Sequence, residues 1–145
     1  MTTNYRNPAE IFAVAAAEIR RVDPDILLPT AVRSTGVDPV RLIAPPAELE
    51  TTVLAAVKTL LAEVPGTVGV VTPVPRRAEV ADWLGSLDTP RLQVVTSLEA
   101  KGMEYDGVVL VAPGEIRAEP GAGVRTLYVA LSRATQRLTT VDLTG

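Results

Sequence analysis

Three short stretches of this sequence are apolar at nearly every position: Thr67–Thr72 (TVGVVT), Leu92–Thr96 (LQVVT) and Gly107–Ala112 (GVVLVA). A strand that is apolar on both faces has to be covered on both. That happens when strands run parallel and the crossover helices pack above and below the sheet. The segments between them supply such helices. Leu49, Val53, Val57, Leu60, Leu61 and Val64 recur at helical spacing between Pro45-Pro46 and Pro65-Gly66. Ile11, Val14, Ala15, Ile19 and Val22 do so after Asn7-Pro8, a capping residue followed by proline at the first helical position, and Asp23-Pro24 stops the run.

The remaining pattern completes an α/β layout. Residues 24–39 read as irregular, with turns at Pro29 and Ser34-Thr35-Gly36, and Val40–Ala44 as a short strand. A helix is predicted over Arg76–Leu87, with Val80, Trp83, Leu84 and Leu87 inward, another over Val124–Arg137, and a closing strand over Thr139–Leu143. With 145 residues, no internal repeat and no long linker, the expectation is one doubly wound domain. In open sheets of this kind ligands bind beyond the carboxyl ends of the strands, so that edge is where chemistry is expected.

Composition removes several mechanisms. The chain has no histidine and no cysteine, which excludes imidazole bases, Ser-His-Asp triads, thiol nucleophiles, zinc-thiolate sites and disulfides. A free-standing nucleic-acid binder usually carries a basic face, and a net charge of -3 does not advertise one. No apolar run approaches the roughly 20 residues that span a bilayer, and Met1-Thr2-Thr3 leads straight into polar residues. The expectation is a cytoplasmic protein without a membrane partner.

Three segments carry more than packing requires. Asn4-Tyr5-Arg6-Asn7-Pro8 places a flat ring and a planar cation just ahead of a helix, suited to a base and a phosphate or simply to each other. Ser97–Asp106 puts Glu99, Lys101, Glu104 and Asp106 around Gly102 between two buried strands. The glycine permits a backbone conformation that other residues resist. Amides near it could hold an anion, and Glu104 could accept from a sugar hydroxyl; a solvated loop with a structural glycine is the ordinary alternative. In Arg125–Leu138, a helical wheel sets Arg133 about 150° from the arc of Leu127, Leu131, Ala134 and Leu138. That points it away from its own sheet, toward solvent or toward a ligand held partly by another surface.

In order, these segments resemble motifs IV, V and VI of the superfamily-1 UvrD/Rep-like helicases. Asn4-Tyr5-Arg6-Asn7-Pro8 is similar to NYRS, Ala100–Asp106 (AKGMEYD) to AKGLEFD, and Leu127–Ala134 (LYVALSRA) to LYVALTRA. The resemblance implies a RecA-like parallel sheet with helices on both faces, the second motor domain (2A) of a longer protein. It also implies an ATP site, with Mg2+, shared with an N-terminal RecA-like domain. Tyr5 would lie against adenine, Glu104 toward the ribose near Gly102, and Arg6 and Arg133 toward the γ-phosphate as electrostatic stabilisers. An arginine finger of this kind is worth about 10³ to 10⁵ in rate.

Two departures refine the resemblance. Only residues 9–95 separate the first two motifs, which leaves no room for the inserted 2B domain of processive members. Leu98 and Glu99 stand where many members have a histidine loop that contacts single-stranded DNA, and a carboxylate there repels phosphate. With Val32-Arg33-Ser34-Thr35-Gly36, they point to the HelD branch, which acts on RNA polymerase. The alternatives are half of a DNA-translocating repair helicase and an inert protein-binding scaffold. No G-x-x-x-x-G-K-[ST] phosphate loop is present, so the chain alone is expected to lack ATPase activity. A start three residues before a functional segment reads as a cut through a longer protein.

Overall fold

The computed structural model describes residues 3–4, 7–28, 30–31, 37–87, 89–119 and 123–144. Tyr5, Arg6 and the Val32–Gly36 phrase lie outside the described residues. Five parallel strands form the sheet: β3 (Val40–Ala44), β4 (Val68–Thr72), β5 (Leu92–Thr96), β6 (Tyr105–Val111) and β7 (Ala134–Leu143), in spatial order β3-β7-β6-β4-β5. Two further residue pairs, β1 (Thr3–Asn4) and β2 (Thr30–Ala31), run parallel to each other, so part of the segment predicted as irregular is paired.

The alternation of the buried strands divides the core in two. Val70, Val109, Val111 and Val141 pack with Leu49, Val53, Val57 and Leu60 of α2 (Leu49–Glu63) and Val80 of α3 (Arg77–Trp83). Val71, Val108, Leu110 and Leu138 pack on the opposite face. There they meet Ile11 and Ala15 of α1 (Ala9–Ile19), Ile116 of α4 (Pro113–Arg117), and Leu127 and Leu131 of α5 (Gly123–Leu131). Each such side chain contributes about 1.5–3 kcal/mol of burial, and neighbours along one strand serve different layers. This is the α/β architecture expected from the doubly apolar strands.

Several boundaries differ from expectation. α3 ends at Trp83, where the Leu84 N–H closes on the Val80 carbonyl and turns follow. α1 ends at Ile19, which leaves Val22 exposed. Asn7 does not cap α1: Pro8 holds the capping position without a side-chain bond. The largest correction lies near the end of the chain. α5 stops at Leu131, and Ala134–Leu138, predicted as its last turns, instead open β7. A spacing of four residues puts Ala134 and Leu138 on one face of a helix or of a strand alike, so their apolar pairing could not separate the two. The hydrogen bonds of β6 decided it, by pairing Tyr105 with Ala134 and Leu110 with Thr140.

Candidate functional site

The Ser132-Arg133 turn between α5 and β7 is where distant segments meet. Asn7 is almost fully buried, and its Nδ2 donates to the carbonyls of Ser132 and Ala134, each at 2.7 Å. The first of the three singled-out segments is thus fastened to the third. Arg133 fastens the third to the second: its Nη1 donates to the Met103 carbonyl at 3.3 Å, and the Tyr105 N–H donates to the Arg133 carbonyl at 3.0 Å. The Thr135 hydroxyl adds a bond to the Tyr105 carbonyl at 3.2 Å. A register shift between Tyr105 and Gly107 in the β6–β7 pairing lies beside this junction.

Arg133 is half-buried and follows the helix, so the wheel geometry predicted for it does not apply. The side chain folds back over the end of α5. Nε donates to the Val129 carbonyl at 3.1 Å and Nη2 to the Ser132 hydroxyl at 3.0 Å. A guanidinium at a helix C-terminus satisfies an otherwise orphaned carbonyl and meets the negative end of the helix dipole.

Gly102 and Glu104 precede β6 in the same turn region, both exposed. Gly102 has φ of 83°, and a Cβ built there meets nothing within 4 Å. The left-handed conformation, not crowding, is what asks for glycine. It follows a helical turn in which the Ala100 N–H donates to Thr96 and the Met103 N–H to Ala100.

Glu99 and Thr96 exchange bonds in the manner of a capping box. The Thr96 N–H donates to Glu99 Oε1 at 2.9 Å, and the Glu99 N–H to Thr96 Oγ1 at 3.1 Å. Arg77 Nε also reaches Glu99 Oε1 at 3.2 Å. The Thr96 amide first, and Arg77 after it, hold the Glu99 carboxyl below its usual range. Leu98, next to it, is 63% exposed.

Arg133, Gly102 and Glu104 therefore share one rim, at the amino ends of β6 and β7. This is the opposite edge from the one expected to carry chemistry. At the carboxyl edge the order of strand connection reverses between β4 and β6, where such folds ordinarily leave a ligand crevice. Here Arg76 spans from the end of β4 to α4. Its Nε and Nη2 donate to Glu115 at 2.8 and 2.7 Å, and its Nη1 to Glu79 at 2.6 Å. Those bonds, Glu115 foremost, raise the Arg76 pKa above its already high ordinary value. A groove of about 270 Å³ beside Leu98 and another of about 230 Å³ beneath α1 are not lined by Arg133, Gly102 or Glu104. No group of three or more acids suited to a metal ion occurs among the described residues.

The second and third segments adjoin at one rim, through parts that the sequence does not reveal. Asn7 was read as a local cap, and the carbonyls of Val129 and Met103 carry no side-chain signal at all. With more than 120 residues between Asn7 and its acceptors, periodicity has nothing to detect.

Comparison with known proteins bears on the fold. Residues 92–141 match the UvrD-like helicase C-terminal domain. That stretch runs from β5 to β7 and contains Gly102, Glu104 and Arg133. Over 97% of its length the chain is similar to the C-terminal domain of a possible DNA helicase from Lactobacillus plantarum WCFS1, covering 88% of that chain at a TM-score of 0.72 and 17% identity. It is also similar to arterivirus nonstructural protein 10, a helicase solved in complex with DNA. There the TM-score is 0.50 at 14% identity, and 92% of this chain covers 30% of that one. No curated protein matches it in sequence. The fold is that of a RecA-like helicase C-terminal domain. No described helix is long and apolar enough to cross a membrane.

Proposed function

We propose that this chain is the second RecA-like half of a superfamily-1 helicase-like ATPase motor, and that its ATP site is shared with an N-terminal RecA-like domain of the same parent. The observation that carries the reading is the junction at Arg133, where Asn7 and Met103 bring three motif-like segments to one rim. Arg133 and Arg6 face the γ-phosphate, Glu104 the ribose, and Tyr5 the adenine. The residues suit such a ligand: a guanidinium oriented by neutral oxygens, open space at Gly102 and an exposed carboxylate border one surface. ATP with Mg2+ brings the phosphoanhydride to be cleaved, and the phosphate loop and metal-binding acids belong to the other domain. The arginines hold and orient the γ-phosphate as charge builds on it, where a fixed cation is most effective.

The parent is HelD-like and remodels RNA polymerase complexes. Glu99 supports this reading. Its carboxylate is pinned on the loop by Thr96 and Arg77, beside the exposed Leu98, a poor surface for tracking phosphates. Residues 9–95 are also taken up largely by core elements, from α1 to β5.

Kinetics of the full-length parent test both levels. Arg133→Ala should lower ATP turnover by at least about a hundredfold, whereas Arg76→Ala should stay within about threefold. Intact turnover in the first variant would leave an inert scaffold. Stimulation of the wild-type ATPase by single-stranded DNA, with none by RNA polymerase, would make the parent a DNA translocase. Magnesium-dependent hydrolysis by the purified 145-residue chain would overturn the shared-site assignment.

A further inference from the structure

A second surface lies away from the Arg133 rim, between the turn that follows β5 and the first half of α5. It is a groove of about 270 Å³ lined by Ser97, Leu98, Lys101, Arg125, Thr126 and Val129. Its floor is apolar, and two exposed cations, Lys101 and Arg125, border it. Among the described residues neither cation has an ion pair. The acid nearest in sequence, Glu99, is engaged with Thr96 and Arg77 and does not line the groove. Positive charge is thus concentrated here on a chain whose net charge is -3.

Two further observations concern the same groove. Leu98 is 63% exposed on a turn fixed by the Thr96–Glu99 exchange and by the Ala100 and Met103 amides, so an apolar side chain is presented on a rigid base. Ser97 is 1% exposed, lines the same groove, and its Oγ has no hydrogen-bond partner among the described residues. A buried hydroxyl without a partner is costly.

We propose that this groove docks an acidic peptide segment of another protein. One apolar side chain would lie between Leu98 and Val129, with flanking carboxylates on Lys101 and Arg125. Charge complementarity selects the acid, and the apolar floor selects a side chain over a bare anion. Among the described residues no aromatic side chain lines the groove to stack a base, and two cations around a leucine make a short track for a phosphate backbone. Arg125 stands about two helical turns from the Arg133 end of α5, so docking here leaves the other rim free.

The test uses the 145-residue chain and a fluorescent twelve-residue peptide with a Leu-Leu pair among glutamates. Controls replace glutamate by glutamine or leucine by serine, and a dT dodecamer stands for nucleic acid. Anisotropy should saturate with the acidic leucine peptide and weaken at least about tenfold for either control peptide. Amide shifts should cluster at residues 96–101 and 125–129. The Lys101→Glu/Arg125→Glu double variant should weaken binding at least about tenfold, and so should Leu98→Ser; all three positions are exposed, and the amide spectrum checks the fold. Failure to saturate, or equal binding by the charge-reversed variant, would overturn the proposal. Tighter binding of the dT dodecamer at the same residues would also overturn it, and would make the groove a nucleic-acid contact.

Discussion

At the amino rim, the partners described for the Arg133 guanidinium are neutral oxygens: the carbonyls of Val129 and Met103 and the hydroxyl of Ser132. At the carboxyl rim, Arg76 is gripped by the carboxylates of Glu115 and Glu79. Carbonyls orient a cation without cancelling its charge, whereas two carboxylates cancel it. The first arrangement fixes the direction of the guanidinium at the end of α5. The second ties the turn after β4 to α4 across the place where open sheets usually bind ligands. The two arginines are thus held in different ways, one by backbone and hydroxyl oxygens at the end of a helix, the other by carboxylates of two helices.

This contrast can be broken by measurement. Asn7→Ala removes a buried amide and strands two carbonyls at the Arg133 turn. It should cost about 3 kcal/mol in urea unfolding, and a loss no larger than that of Arg76→Ala would show that the amino rim is not the better-built one. Gly102→Ala imposes a left-handed conformation on a residue with free space around it. A cost of about 1.5 kcal/mol is expected from backbone strain alone, and a neutral result would mean that the turn relaxes. A double-mutant cycle on Arg76 and Glu115 should give about 1 kcal/mol or less, reduced by salt, since both side chains are partly exposed. A coupling near 3 kcal/mol would put the carboxyl bridge on a par with the Asn7 clamp.

The smallest effect concerns pH. The Glu99 carboxyl titrates below its ordinary range, chiefly because the Thr96 amide donates to its ionised form. A group whose folded pKa is depressed stabilises the fold above its unfolded pKa and loses that contribution as pH falls through the folded value. The Thr96 amide resonance should therefore hold its neutral-pH position below the usual glutamate midpoint of about 4.3, then move as Glu99 protonates. Glu99→Gln should abolish that titration, while Arg133 contacts stay unchanged. A Thr96 shift centred on the ordinary glutamate value would show that the turn presenting Leu98 is not fixed by this exchange.

Much of the architecture was legible because it rests on local pattern. Val70 and Val71, or Val109 and Leu110, can be buried together only in a sheet covered on both sides, whatever their partners. The stripe of Leu49, Val53, Val57 and Leu60 likewise announces its helix. Reading failed where one spacing fits two periods, as at Ala134 and Leu138. It failed also where a residue with an ordinary local role, Asn7 ahead of a proline, is used at long range.

By itself, then, the sequence determined the alternation of doubly buried strands with amphipathic helices, and which polar segments lie outside that core. Those follow from burial and periodicity, which act between near neighbours. Which edge of the sheet holds Arg133, and what orients it, was decided only by tertiary structure. The bonds of Asn7, Met103 and Val129 to that turn depend on strand order and register. Backbone carbonyls, the same in every residue, leave no mark in a sequence.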